Sequence, residues 1–237
     1  ADFHHYLVQR DGKHHYNELP EKVRKQMVRL DFPVRESFKN ITKEEKTTIR
    51  ESLGIDPSAT VVKIAMGANG IGSDIKMIMN KIKQEAYLSQ KPLHILVVTG
   101  ANKALKEELD QENHNIENAQ FQILGFLNEK EMSDFDKASD VWVTKPGGST
   151  SAEALAMRKQ MLYVTNPHHM WELTNARRLE HDNLAEEFNP TGSIMDQINR
   201  RALIGNEVEF AKKNDMGWTE QLANIVSRKA APILQLA

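Results

Sequence analysis

The residues most suited to chemistry lie in one short segment, TKPGGSTSAEAL, at positions 144–155. A predicted strand ends there, Gly147 and Gly148 allow a tight turn, and a helix begins with the hydroxyl side chains of Ser149 and Thr150. The unpaired N–H groups and the positive dipole end of such a helix suit a diphosphate. Glu153, about one helical turn further on, could hold two ribose hydroxyls. The bare pattern equally permits a plain cap, with Glu153 completing a capping box.

A second glycine turn, GANGIG at 67–72, also joins a predicted strand to a helix. Its backbone could approach a phosphate, or its glycines could serve only close packing of the strand against the helix. The spacing differs from the dinucleotide fingerprint, and no Gly-Lys-Ser/Thr follows as in a P-loop. These observations disfavour a nicotinamide cofactor.

Short β-branched runs alternate with helical patterns from about residue 60 onward. This alternation predicts right-handed βαβ units and a Rossmann-like, doubly wound parallel α/β sheet. Ligands of such sheets bind at the carboxyl ends of the strands, in loops 67–73, 99–102, 125–128, 144–150 and 165–172. Strands are predicted at 61–66, 93–99, 121–124, 141–144 and 161–164, and helices at 42–53, 73–88, 103–110, 129–138, 150–157 and 172–180.

Composition excludes several classes of protein. The 237 residues carry a formal charge of −2 and no cysteine, which disfavours nucleic-acid binding and removes disulfides and thiolate metal sites. No run approaches the length of a membrane helix. We expect residues 1–32, which are polar and contain one short helix at 21–29, to be an extension or linker. Residues 33–237 are then one domain with a helical tail at 193–228.

Histidine pairs occur at positions 4–5, 14–15 and 168–169. Neighbouring histidines point in different directions in a strand or a helix, so no metal site is predicted. His169 follows the fifth predicted strand, where its position favours a sugar or phosphate contact. The chain begins with Ala, which suggests a piece of a longer protein.

Taken with its context, the segment at 144–155 resembles the donor-binding C-terminal half of GT-B glycosyltransferases. It lies on the fourth strand–helix unit and is followed by a strand and then by ELTNA at 172–176. The chain is most similar to the group that contains diacylglycerol glycosyltransferases and the peptidoglycan N-acetylglucosaminyltransferase. The PVR at 33–35, the glycine loop at 67–72 and the GFL at 125–127 also fit that group. The resemblance covers about residues 32–190.

The resemblance implies a role for each matching position. Gly147, Gly148, Ser149 and Thr150 would hold the donor diphosphate, and Glu153 the ribose. The backbone at Leu127 would meet the uracil edge. Further donor contacts are implied near the phosphates for Arg35, Asn69 and Gly70, and near the sugar for His169, Glu172 and Asn175.

Three departures from the family pattern change what can be expected. The segment PHHMWE at 167–172 replaces the usual Gly-Gln-Glu, so the sequence does not identify the sugar. The segment MRKQ at 157–160 replaces a small turn, and we expect it to alter only a surface loop. In the family, the acceptor site and catalytic base lie on an N-terminal domain that residues 1–32 are too short to supply.

The resemblance therefore implies the donor domain of an inverting hexosyltransferase that uses a UDP-sugar, without other cofactor or metal, and a lipid-linked or other acceptor. This domain is expected to be inactive alone and to need an N-terminal acceptor domain or a partner subunit. A cytoplasmic location is expected, with peripheral membrane contact through the missing part. Two alternatives are half of a UDP-sugar epimerase and a non-catalytic module that binds a nucleotide or a protein.

Overall fold

A computed structural model describes residues 6–9, 20–25, 27–30, 34–165 and 170–208. The chain divides into two compact units, one of residues 1–34 with 212–237 and the other of residues 35–211. None of the described helices is long and apolar enough to cross a membrane.

The first unit contains a parallel pair of short strands. Strand β1 (Tyr6–Gln9) pairs with β2 (Met27–Leu30), and helix α1 (Glu21–Lys25) lies between them in the chain. The helix predicted at 21–29 is therefore confirmed only in its first part. Residues 27–30 (Met-Val-Arg-Leu) span just four positions, too few to distinguish a strand from a helix by period.

The second unit contains one six-stranded sheet whose strands are all parallel. Its order is β5-β4-β3-β6-β7-β8, the strand order of a doubly wound Rossmann-like fold, so the predicted fold class is confirmed. The strands are β3 (Thr60–Ala65), β4 (Leu93–Val98), β5 (Ala119–Leu124), β6 (Val141–Thr144), β7 (Gln160–Tyr163) and β8 (Ala185–Glu187).

The helices of this unit lie close to the predicted ranges, and two of them begin at capping boxes. Thr42 and Glu45 cap the first, and Asn128 and Glu131 cap the fourth, each satisfying orphan N–H groups at the helix start. The helices are α2 (Lys43–Ser52), α3 (Gly72–Glu85), α4 (Lys103–Gln111), α5 (Glu129–Ala138), α6 (Gly148–Met157), α7 (Met170–His181) and α8 (Ile194–Val208). The predicted tail helix is thus observed to residue 208, beyond which it lies outside the described residues.

The central strands are buried on both faces, as their apolar runs predict. Alternate residues of β3 belong to two different apolar clusters, because successive side chains of a strand point to opposite faces. Val62 and Ile64 pack with α3 and α8, whereas Val61 packs with Phe135 of α5. Trp142 of β6 is fully buried, whereas Met77 of α3 is 36% exposed.

The turn at 157–160 is not the surface loop that we expected. Arg158 has a left-handed backbone (φ 53°) that ends α6, and Lys159 is only 1% exposed. The Lys159 ammonium donates to the carbonyl oxygens of Lys137 (3.0 Å) and Ser139 (2.9 Å), at the end of α5. A cation there is stabilised by carbonyls that the helix leaves without an intrahelical partner.

The loop at 67–72 lies against the loop that follows β4, backbone to backbone. Gly70 has φ +53°, and a Cβ there would lie 2.3 Å from the Thr99 carbonyl oxygen. Gly100 has φ +59°, and its Cβ would lie 2.2 Å from the Ala68 carbonyl oxygen. Close packing of two loops, and not the packing of a strand against a helix considered from the sequence, therefore accounts for Gly70, because no side chain fits there.

This packing predicts unequal costs for two Gly→Ala changes. Gly54 also has a positive φ (+69°), but a Cβ there meets nothing within 4 Å. Gly54→Ala should lower the free energy of unfolding by about 1 to 2 kcal/mol, the cost of a left-handed L-residue. Gly70→Ala should lower it by more than about 3 kcal/mol, since the clash with Thr99 adds to that strain. Urea denaturation measures both, and equal losses would contradict the close approach.

Candidate functional site

The strand order reverses between β3 and β6, which places a crevice at their carboxyl ends. Ala65 of β3 lies in register with Thr144 of β6, so the loops that leave these two strands start side by side. The first loop contains Asn69, which is exposed, and Gly70, which is buried. The second consists of residues 145–147 and leads directly into α6.

Helix α6 begins at Gly148, with Gly147 at the cap position. Gly147 has an ordinary extended backbone (φ −65°, ψ 156°), and neither it nor Gly148 has a positive φ. The backbone does turn tightly here, since the Gly147 N–H donates to the Lys145 carbonyl oxygen at 2.9 Å, but neither glycine adopts a conformation that is restricted to glycine. A Cβ at Gly147 would meet no atom of the described residues within 4 Å apart from its chain neighbours, so among these residues its missing side chain leaves open space at the helix N-terminus.

The capping alternative for this segment is also excluded. No side chain caps α6, because the cap residue is Gly147 and not Ser149 or Thr150. Ser149 is exposed and Thr150 is half-buried, both within the first turn of the helix. The amide groups of this turn thus lack the side-chain acceptor that caps α2 and α5, which leaves them available to an anion.

Glu153 forms an ion pair with Arg35 instead of completing a capping box. The distance from Arg35 Nη2 to Glu153 Oε1 is 2.6 Å. The carboxylate side chain is 12% exposed, whereas the Arg35 side chain is 47% exposed. Burial raises the pKa of Glu153, and the hydrogen bond and charge of Arg35 oppose this rise. The guanidinium carbon also lies 4.0 Å from the centre of the Phe38 ring.

The loop after β5 places the backbone of Leu127 and the ring of Phe126 at the carboxyl end of the sheet, where α6 also begins. Leu127 is half-buried and packs against the apolar cluster of Val61, Leu96 and Phe135. Phe126, beside it, is 77% exposed. Sequence reasoning did not single out this aromatic side chain, although its place in a loop at a carboxyl strand end was a usable signal.

Helix α7 contacts the loop between β6 and α6 through two side chains. Lys145 Nζ lies 2.9 Å from Glu172 Oε1, and Asn175 Nδ2 donates to the carbonyl oxygen of Pro146 at 3.0 Å. Glu172 and Asn175 were predicted site residues, whereas Lys145 was not. His169 lies outside the described residues.

The described contacts therefore join Arg35 with Glu153, and the loop at 145–147 with Glu172 and Asn175. The loop of Asn69 and Gly70 instead contacts residues 99–102: Ala101 donates its N–H to Ala68 (2.9 Å), and the Asn102 side chain donates to Gly70 (3.1 Å). Across the described part of the chain, no group of three or more His, Asp or Glu side chains could hold a metal ion.

Comparison with curated proteins finds relatives that are lipid glucosyltransferases. The chain is 28% identical over 149 residues to the processive diacylglycerol beta-glucosyltransferase of Staphylococcus epidermidis, covering 63% of this chain and 35% of the relative. It is 27% identical over 184 residues to the enzyme of the same name from Bacillus pumilus, covering 77% of this chain and 45% of the relative. The chain thus spans less than half the length of these relatives.

Solved structures share the fold at low sequence identity. MurG of Acinetobacter baumannii superposes with a TM-score of 0.59 at 13% identity, over 86% of this chain and 58% of that one. The glycotransferase of kitacinnamycin superposes with a TM-score of 0.52 at 14% identity, over 95% of this chain and 54% of that one. The model of the glycosyltransferase family 28 C-terminal domain matches residues 72–198, more than half of the chain, and this range includes α6. The chain belongs to this glycosyltransferase family.

Proposed function

We propose that this chain binds a UDP-sugar and serves as the donor half of an inverting hexosyltransferase. The acceptor, a lipid or another hydroxyl compound, and the catalytic base would belong to an N-terminal domain or partner. The glucosyltransferase relatives favour a hexose donor and a diacylglycerol-type acceptor. This same likeness favours transfer over epimerisation or binding alone.

The observation that carries the proposal is the carboxylate of Glu153 in the crevice of α6. It lies within the second turn of a helix whose first turn is uncapped and whose cap residue leaves open space. An anionic diphosphate fits the uncapped N–H groups, and a carboxylate one turn further on can accept hydrogen bonds from two ribose hydroxyls. Among the described residues, the uncapped start of α6 together with the Glu153 carboxylate is the strongest support for nucleotide binding.

The Arg35 guanidinium can pair either with the Glu153 carboxylate or with a bound diphosphate. Without a ligand its guanidinium pairs with Glu153, and Glu129 Oε2 lies 4.0 Å from it. A diphosphate offers the guanidinium stronger anionic acceptors, in the bidentate geometry that arginine prefers. We expect the incoming ribose hydroxyls to replace Arg35 at Glu153 while Arg35 turns to the phosphates.

The uracil would lie at the loop after β5. The backbone of Leu127 offers hydrogen bonds to the base edge, and the exposed ring of Phe126 offers a stacking surface. During transfer, negative charge develops on the leaving diphosphate. The N-terminus of α6 would stabilise this charge without reorganising, which is the contribution to catalysis expected of this domain.

The first test is UDP binding to the Glu153→Gln variant. Loss of hydrogen bonds between a carboxylate and two hydroxyls should weaken UDP binding about 10- to 100-fold. Isothermal titration measures this, and Glu129→Gln, which removes a neighbouring but exposed carboxylate, should bind as the wild type does. The wild type should also prefer UDP to 2′-deoxy-UDP, and the variant should not. An unchanged preference would remove Glu153 from the ribose site.

A second test uses the open space at Gly147. Because its backbone is ordinary and a Cβ there meets nothing, Gly147→Ala should lower the free energy of unfolding by no more than about 1 kcal/mol. The added methyl group should nevertheless obstruct the diphosphate and weaken UDP binding about tenfold, or about 1.4 kcal/mol. Thermal melting and titration of the same sample separate the two effects. Unaltered affinity would place the phosphates elsewhere.

The raised pKa of Glu153 predicts a pH dependence of binding. Only the ionised carboxylate accepts from both hydroxyls, so affinity should fall as the pH drops from neutral into the acidic range and the group gains a proton, and this fall should begin at a higher pH than for an ordinary glutamate. A UDP-hexose is the suitable probe, since both its phosphates are esterified and neither titrates in this range. Glu153→Gln should show a flat profile. If that variant keeps the wild-type slope, another group is responsible.

A further inference from the structure

The loop that leads into α6 is attached to α7 at two consecutive positions. Lys145 pairs with Glu172 at 2.9 Å, and Asn175 donates to the Pro146 carbonyl at 3.0 Å. Glu172 and Asn175 are three positions apart, so both side chains leave the same face of α7. One helix face therefore fixes the segment that must adopt the right shape for a diphosphate.

Burial makes the Lys145–Glu172 pair a rigid one. The Glu172 side chain is 6% exposed and the Lys145 side chain 18% exposed. Charged groups this far from water are held in place by their partners, because either charge alone would be poorly solvated. The ammonium group thus helps to fix the direction of the Glu172 carboxylate.

The pair lies at the edge of the sheet where the donor is proposed to bind. Lys145 immediately follows β6, and Glu172 lies in the first turn of α7, the helix that follows β7. A carboxylate has about four acceptor positions, so one that is bonded to an ammonium group can still accept from hydroxyls. The hexose of a UDP-sugar, attached to the diphosphate at α6, presents such hydroxyls.

We infer that Lys145 is a positioning residue for the donor hexose. It holds the Glu172 carboxylate in the direction from which it accepts hydrogen bonds from hexose hydroxyls, and it acts through Glu172 without contacting the nucleotide. This inference rests on the proposed function and deepens it. In this proposal Lys145 contributes to the preference for one hexose over another, whereas Glu153 and Arg35 bind the nucleotide.

A direct contact between Lys145 and the diphosphate is the competing role, because Lys145 lies in the loop at 145–147, which leads into the proposed phosphate-binding helix α6. The affinity for UDP without a sugar distinguishes the two roles. A phosphate contact contributes equally to UDP and to every UDP-hexose. A positioning role through Glu172 contributes only when a hexose is present.

The experiment is isothermal titration of the full 237-residue chain with UDP, UDP-glucose, UDP-galactose and UDP-N-acetylglucosamine. In Lys145→Met, the tightest-bound UDP-hexose should weaken about tenfold, the effect of losing one well-placed hydrogen bond to a charged group. The ratio between the best and worst hexose should approach one. Affinity for UDP should stay within about twofold of the wild type, because in this proposal Lys145 does not contact UDP and its replacement removes no bond to it. Lys145→Arg, which keeps the charge, should restore part of the ratio.

Lys83 supplies a matched control, since its ammonium also lies 2.9 Å from a carboxylate, that of Glu112, and its side chain is 16% exposed. Lys83→Met should leave every affinity unchanged. Glu172→Gln should reproduce the loss of hexose selection, and the double variant Lys145→Met/Glu172→Gln should lose no more than either single variant. Glu172→Gln, which preserves side-chain volume, also decides the question if Lys145→Met fails to fold by circular dichroism.

Equal weakening of UDP and the UDP-hexoses in Lys145→Met would overturn the inference in favour of a phosphate contact. Unchanged hexose ratios in folded Lys145→Met or Glu172→Gln would overturn it as well, as would additive losses in the double variant. Failure of the proposed function is separately visible, because the wild type would then bind no uridine nucleotide.

Discussion

The site depends on the parallel pairing of β3 with β6, two strands that are separated by two complete strand–helix units in the chain. The pairing is fixed at both ends. At the start, Asp140 N–H donates to Val61 and the Asp140 carboxylate accepts from Val61 N–H, both at 2.8 Å. At the carboxyl end, the Thr144 hydroxyl donates to the Ala65 carbonyl at 2.6 Å. A one-residue slip would shift the loops at 66 and 145 relative to each other and turn the side chains of one strand to the opposite face of the sheet.

Ion pairs at the amino and carboxyl ends of the strands differ in how exposed their cations are. At the start of β6, Asp140 pairs with Lys46 and Arg50, and all three side chains are almost fully buried. Burial alone would raise the pKa of Asp140, but these two cations lower it, so the group stabilises the fold in its ionised form. At the carboxyl edge, the cations Arg35 and Lys145 are more exposed than the carboxylates that they hold. An anion can therefore approach Arg35, whose side chain is 47% exposed, whereas it cannot reach the pairs at the other edge.

Elements were predictable from the sequence where local chemistry specifies them. The predicted bounds of α5 and β6 equal the observed ones, because a capping box starts the helix and a short β-branched run forms the strand. The three-residue strand β8 and the pair in the first unit were missed, since so few residues show no period. Lys159 was misjudged because a charged residue after a helix is ordinarily solvated, and only the fold places the end of α5 against it.

The candidate site was predictable in its residue types but not in their partners. Local spacing placed Glu153 and the glycines near a helix start, yet the ion pairs of Arg35 with Glu153 and of Lys145 with Glu172 join residues far apart in the chain. These pairs also lie on different elements: the first joins the segment before α2 to α6, and the second joins the loop at 145–147 to α7. The departure from the family pattern at 167–172 affects only the second of them. Under the proposed function, the part of the site assigned to the hexose can therefore vary while the part assigned to the nucleotide stays constant, because the two ion pairs share no charged group.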